Sequence, residues 1–452
     1  MKNELEKKYG LATAICMVVG IVIGSGVFFK AETVLIRTGG NMPAGILAWI
    51  FVGLIMVVCS NVFANMANRY ENAANLVDYG EAVLGERYGY NIGWFMATIY
   101  TPALASILAW VSARYTCALL GWDAASGACM TISALYMCGS FALNALSPKL
   151  AGKFQVSTTF IKMIPLILMA LVGTFVGLTK GGFTVSMQSV ESTVPFMEGL
   201  TGAVVSVAFA CEGWILATSI NGELVNAKRN MPLALFVGSL IVAATYLLYY
   251  IGINGVVSVQ ELMTLGENGV RIAFQRLFGE SAGTLVFVLI VISCLGTLNG
   301  LTLANVRGMY SMASKGHGPN PKLFQQVDVV TNMPTNSAII SLLLSAFWLL
   351  YFYGVALGGG WFGKFSFDSS ELPIVTLYGM YIPMFINYMR INKEASVFNR
   401  FIMPALATVG SIFMILSSFK AYGISTVFHY LIVYAVFMIV GNIFYKTKPN
   451  NN

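Results

Sequence analysis

The chain has 452 residues, 57% of them hydrophobic and only 10% charged, with a mean hydropathy of +0.75. This composition excludes an ordinary water-soluble domain, because apolar runs of the roughly 20 residues needed to cross a bilayer recur from Leu11 almost to the C-terminus. In such a chain the net charge of +7 reports where the loops lie, and no nucleic-acid partner is expected.

The first ten residues, MKNELEKKYG, are polar. The run after them is too long for a signal-peptide core and has no small-residue cleavage site, so the first span is expected to persist. Spans are predicted over Leu11–Ile36, Met42–Asn68, Tyr90–Tyr115, Ala124–Asn144, Phe154–Leu178 and Phe196–Ile220. They continue over Pro232–Val256, Gly283–Met312, Thr335–Ala356, Leu372–Met389, Met403–Phe419 and Ile424–Phe444. Twelve spans put both termini on one side of the membrane. With the N-terminus inside, roughly twice as many Lys and Arg fall on the cytoplasmic side as outside, which predicts cytoplasmic termini.

Cys16, Cys59, Cys117, Cys129, Cys138, Cys211 and Cys294 all lie in or beside apolar segments, and His317 and His429 are isolated. Neither a disulfide framework nor a metal site is indicated, and no cofactor is expected.

Within the first span, GIVIGSGVFF places Gly24-Ser25-Gly26 where glycine weakens a helix. Gly20 and Gly24 form a GxxxG pair, which fits close helix packing. A broken helix also fits: freed backbone is tolerated where it is buried in protein or lines a cavity, and the second half-helix then offers unpaired N–H groups and a positive dipole end to an anion. The span is about 39 Å long at 1.5 Å per residue, which leaves length for an unwound section or for tilt.

In the fifth span, STTFIKMIPLI puts Lys162 at mid-membrane. That placement costs about 3 kcal/mol on insertion scales and marks a functional candidate, with snorkelling as the alternative. The sixth span is interrupted in turn at Glu212-Gly213 of VAFACEGWILATS. Paired interruptions at corresponding positions of two halves point to a transporter binding site.

VVGIVIGSGVFFK, FACEGWILATSINGELVNAKRNMPLAL and SCLGTLNGLTLANVRGMYSMASKG together resemble signatures of the amino acid/polyamine/organocation transporters. Within these, the chain resembles the L-type amino acid transporter family and its bacterial exchangers. The resemblance implies an all-α polytopic protein with a LeuT-type core of five plus five inverted helices and two more at the end, helices one and six being discontinuous. On that plan residues 1–10 are a cytoplasmic N-terminus, 11–178 the first repeat, 196–389 the second, 400–445 the last two helices and 446–452 a cytoplasmic tail.

The resemblance also implies site roles. Main-chain N–H groups at Gly24, Ser25 and Gly26, with Ile23 and Val27 beside them, would hold a substrate carboxylate. Carbonyls of Ile23, Phe209 and Ala210, with Cys211, Glu212 and Gly213 alongside, would face its ammonium. Phe209 would gate the site. The Lys162 ammonium would occupy the place of a sodium ion, bonding carbonyls near Gly20 to Ile23 and the hydroxyl of Ser293 or Thr297, so transport would be sodium-independent. Glu212 stands where much of the family has glycine, serine or aspartate. It neighbours the ammonium, favours a cationic substrate or carries a proton. In the loop after span six, Glu223 with Lys228 and Arg229 forms either an inner charge cluster or a solvated loop.

The expected function is sodium-independent exchange of small neutral L-amino acids (alanine, serine, threonine or cysteine). Proton-coupled uptake or amino acid/amine antiport is the alternative, and a transporter-like sensor a further class. No nucleophile-base pair suggests an enzyme. The expected location is the cell membrane, in a prokaryote the inner membrane. Mammalian relatives pair with a glycoprotein through an extracellular cysteine. Only Cys129 approaches a loop here, so no obligatory protein partner is expected beyond substrate and lipid.

Overall fold

The computed structural model describes residue 7 and residues 9–24, 26–70, 75–187, 194–266 and 268–445. Among these there is no strand, only an isolated bridge pairing Tyr9 with Leu224. In chain order the main helices are α1 (Leu11–Val22), α2 (Gly26–Arg37), α3 (Met42–Arg69), α4 (Leu76–Leu84), α5 (Glu86–Leu120), α6 (Gly127–Leu146), α7 (Pro148–Thr179) and, after a six-residue helix Gly182–Met187, α8 (Phe196–Ala210). A 3-10 segment, Trp214–Glu223, follows α8. Then come α9 (Ala227–Val256), α10 (Val259–Leu265), α11 (Asn268–Phe278), α12 (Glu280–Ala313), α13 (Pro321–Phe324), α14 (Thr335–Leu357), α15 (Leu372–Ile391) and α16 (Phe398–Ile443).

Ten helices among the described residues are long and apolar enough to cross a membrane. The difference from twelve has two causes. The first predicted span is cut into α1 and α2, each of 12 residues. At the other end, α16 runs through a kink at Gly423, whose φ of 79° no helix contains, and so joins two predicted spans.

Local chemistry sets the helix ends. Asn41 accepts the Ala44 N–H at the start of α3, Asn75 the Val77 N–H at the start of α4, and Ser126 the Cys129 N–H at the start of α6. In α7, Pro165 removes a donor, and a π turn over Met169–Gly173 follows. There Gly173 and Gly177 meet Gly252 and Gly255 of α9 backbone to backbone, the small-residue seam by which membrane helices approach closely.

Burial separates core from periphery. The most apolar windows of α5 and of the α8/3-10 pair are 94% buried, whereas that of α16 is 11% buried and faces the surroundings. The broken pairs α1/α2 and α8/3-10 pack on each other inside this ring, which sets their interruptions side by side.

Candidate substrate site

Helix α1 stops at Val22, and Ile23 turns to an extended conformation (φ −76°, ψ 93°). Its last carbonyls would be unpaired without outside donors, and side chains from three other helices supply them. Lys162 of α7, fully buried, donates from Nζ to Gly20 O (2.8 Å), Ile23 O (2.5 Å) and Thr297 Oγ (3.2 Å). Thr297 Oγ lies 3.0 and 2.9 Å from the same two carbonyls, and Ser293, one turn earlier on α12, donates to Gly24 O at 3.1 Å. Tyr246 of α9 donates to Val22 O at 2.9 Å. A fixed cation thus sits at the negative end of a half-helix dipole.

On the other side of the break, α2 begins at Gly26, and its first N–H groups point back toward the gap as an anion-favouring end. Ser25 lies outside the described residues. A Cβ on Gly26 would stand 2.9 Å from Ala210 Cα, so glycine is what lets spans one and six touch main chain to main chain. Helix α8 ends at Ala210, and Gly213 takes a left-handed conformation (φ 96°) before the 3-10 segment. Between them, Glu212 is buried and accepts the Tyr100 hydroxyl (2.7 Å) and the Gly213 N–H (3.3 Å). No cation pairs with it among the described residues.

Gly24, Gly26, Phe209, Ala210, Glu212, Gly213 and Thr297 border one small cavity, walled by Leu104, Leu108 and Leu301. Its volume of about 30 Å³ holds a water or two, less than an amino acid needs. Ile23, Val27 and Cys211 do not border it, although all three are buried. The Ile23 carbonyl, assigned above to the substrate ammonium, is taken by Lys162 and Thr297 instead. The Ala210 carbonyl accepts no backbone amide among the described residues.

Above and below, the cavity is shut. On the α2 side, Lys30 pairs with Glu371 at 2.5 Å, the Tyr422 hydroxyl donates to the same carboxylate, and the Lys30 ammonium sits 4.9 Å from the centroid of Phe209. On the side of the start of α1, Glu223 accepts from Arg307 Nη2 (2.5 Å) and Nε (2.9 Å), both side chains being buried. Arg307 of α12 is therefore a cation partner of Glu223 that the loop containing Lys228 and Arg229 did not suggest. The backbone of Tyr9 is bonded on either side of Leu224, from Tyr9 N to Glu223 O (3.0 Å) and from Val225 N to Tyr9 O (2.8 Å).

An amino acid permease family model matches residues 9–450. The chain belongs to the amino acid permease family. This permease is 29% identical to the serine/threonine exchanger SteT of Bacillus subtilis over 421 residues, 91% of each chain. It is 24% identical to the mouse b(0,+)-type amino acid transporter 1 over 402 residues, covering 85% of the permease and 80% of the relative. With the mouse large neutral amino acids transporter small subunit 2 it shares 25% identity over 381 residues, 78% and 70% of the two chains. The resemblance to the amino acid/polyamine/organocation superfamily and its L-type branch holds, and the permease is a multi-pass membrane transporter of amino acids.

Lys30, Glu371, Tyr422, Tyr100, Tyr246 and Arg307 were not singled out from the sequence. Tyr100 and Tyr246 carried a weak signal, being hydroxyl-bearing residues within apolar runs. Lys30 and Arg307 stand at span ends, where basic residues are ordinary, and so gave none.

Proposed function

We propose that this permease exchanges small neutral L-amino acids, such as alanine, serine, threonine or cysteine, without sodium, by alternating access around the cavity between the two helix breaks. The observation that carries this reading is the Lys162 ammonium, tied to Gly20 O, Ile23 O and Thr297 Oγ at the end of α1. A covalently held cation there makes a diffusible one unnecessary. The substrate carboxylate meets the N–H groups at the start of α2, and its ammonium meets the carbonyl end of α8, with Ala210 O in the place first given to Ile23 O. Close walls of Gly24, Gly26 and Thr297 favour short side chains. Phe209 acts as the gate, and residues 11–178 and 196–389 form two inverted repeats. The termini are cytoplasmic, the membrane is the plasma or prokaryotic inner membrane, and no protein partner is required.

The test is counterflow in proteoliposomes. Efflux of labelled alanine, serine or threonine should require an amino acid outside and be indifferent to sodium. Efflux undiminished in its absence, or sodium stimulation, overturns the reading. Binding without any flux would favour a sensor.

Glu212 favours a second reading. A buried carboxylate with no cation beside it calls for a proton or a cationic substrate group. Proton-coupled uptake or amino acid/amine antiport would use it so. Under either, Glu212→Gln changes the pH dependence of flux or the preference for amines; an unaltered pH profile and substrate range leave it a structural neighbour of the ammonium.

A further inference from the structure

A cavity of about 150 Å³ lies between α2, α5, α8, α14 and the loop that precedes α15. Phe209 borders both it and the substrate cavity, and α5 runs along the two, with Leu104 and Leu108 beside the one and Trp110 and Arg114 beside the other. At roughly 30 Å³ for each water-sized group the space takes about five, near the size of alanine.

Two polar groups in this wall are unspent. The Trp110 indole N–H is buried and finds no acceptor among the described residues. Asp368, in the loop, accepts the Ser370 N–H (2.7 Å), the Ser370 hydroxyl and the Glu371 N–H (3.1 Å), all at Oδ1. Its Oδ2 accepts nothing, and no Lys or Arg forms an ion pair with it, among the described residues; Lys30, in the same wall, is paired with Glu371. Burial and the neighbouring Glu371 raise the pKa of Asp368, and Lys30 only partly offsets them, which marks a carboxylate short of positive charge.

Buried polar groups are ordinarily paired, so an unmatched donor and an unmatched acceptor in one wall call for a ligand that carries both charges. The Arg114 guanidinium lies 5.2 Å from the centroid of the Trp110 ring and adds positive charge beside the indole N–H. Its fork of five N–H groups serves more than one acceptor. Val111 and Phe352 supply an apolar surface opposite.

We propose that this cavity is a loading site for a zwitterionic amino acid with a short side chain, its ammonium at Asp368 and its carboxylate at Trp110 Nε1 and Arg114. From there the amino acid passes Phe209 into the cavity between the helix breaks. This inference rests on the transport reading above.

The test pairs saturation binding of labelled alanine, serine and threonine, each alone, to the full-length protein with exchange in oriented proteoliposomes. The wild type should bind two molecules of an amino acid that it exchanges. Asp368→Asn, whose amide oxygen still accepts the N–H groups of Ser370 and Glu371, should bind one, as should Trp110→Phe, which keeps a ring but loses the donor. In both variants the half-saturating concentration should rise at least about tenfold for amino acid offered on the α2 side, and stay at the wild-type value on the side of Tyr9. Monodispersity and thermal unfolding check that the variants fold, and the wild-type stoichiometry needs neither variant. One molecule bound by the wild type with exchange intact, two bound by the folded variants, or an unchanged half-saturating concentration on the α2 side overturns the loading site and leaves the transport reading standing. Two molecules bound without any exchange keeps the site and overturns the transport reading; no binding of the three overturns both.

Discussion

A lysine ammonium with no water around it must be matched by acceptors of fixed geometry, and at Lys162 all three donors find one. Hydrogen bonds to a charged group are worth about 1.5–3 kcal/mol each, so together they offset the burial of the side chain. Removing it leaves two carbonyls at the helix break with fewer donors. Lys162→Ala is expected to be expressed and inserted normally but to lose at least about tenfold in initial exchange rate, equivalent to about 1.4 kcal/mol in the barrier. Labelled-substrate uptake normalised to purified protein measures this, and normal exchange would remove the assignment. Lys162 was legible in the sequence because a charge inside an apolar run has few structural explanations. The engagement of the Ile23 carbonyl was not, since backbone groups look alike at every position.

At the scale of the element, the breaks depend on missing side chains. Gly26→Ala would place a methyl 2.9 Å from Ala210 Cα, with no flexible side chain to give way. Overpacking of this kind costs about 1–3 kcal/mol. The variant should therefore unfold at lower temperature and transport little. Gly139→Ala in α6, with nothing within 4 Å, should keep full transport and a melting temperature equal or slightly higher. If Gly26→Ala behaves like Gly139→Ala, spans one and six do not touch as described. Both interruptions were visible as glycines inside apolar runs, and most span limits followed from hydropathy. Less visible was α4, short and amphipathic, and the joining of the last two spans through Gly423, where hydropathy cannot tell a kink from a loop.

In the whole molecule, the small cavity lies between two buried ion pairs, Glu223–Arg307 on the side of the N-terminal stretch at Tyr9 and Lys30–Glu371 on the opposite side. Removing one partner of such a pair strands the other, at about 3–5 kcal/mol. Glu223→Gln should lower the melting temperature and raise the labelling rate of a cysteine introduced at Ser219, which with Arg307 lines a separate cavity of about 80 Å³. An unchanged labelling rate would show that this pair does not hold that side closed. A second tie at the same end joins α4 to the loop after α12, where Lys315 meets Asp78 and Glu81. Burial pulls the Lys315 ammonium down, but the two carboxylates outweigh it and hold its pKa above the ordinary value. A raised folded-state pKa stabilises fully below the unfolded value of about 10.4, and that contribution fades as pH rises through the folded one. The melting advantage over Lys315→Met, about 1 kcal/mol because the group is partly exposed, should be level near neutrality and shrink above pH 10.4. These long-range pairs were the least legible features, because the chain separates their members by 84 to 341 residues.

The stitch between Tyr9 and the stretch around Leu224 is made of amide and carbonyl groups alone. These bonds do not depend on the side chain of Val225, which is exposed, so most substitutions there leave the seam in place. Proline at residue 225 would take one away, and clipping the chain before Leu11 would undo the seam entirely, leaving α1 to be held at its other end by Lys162, Thr297 and Tyr246.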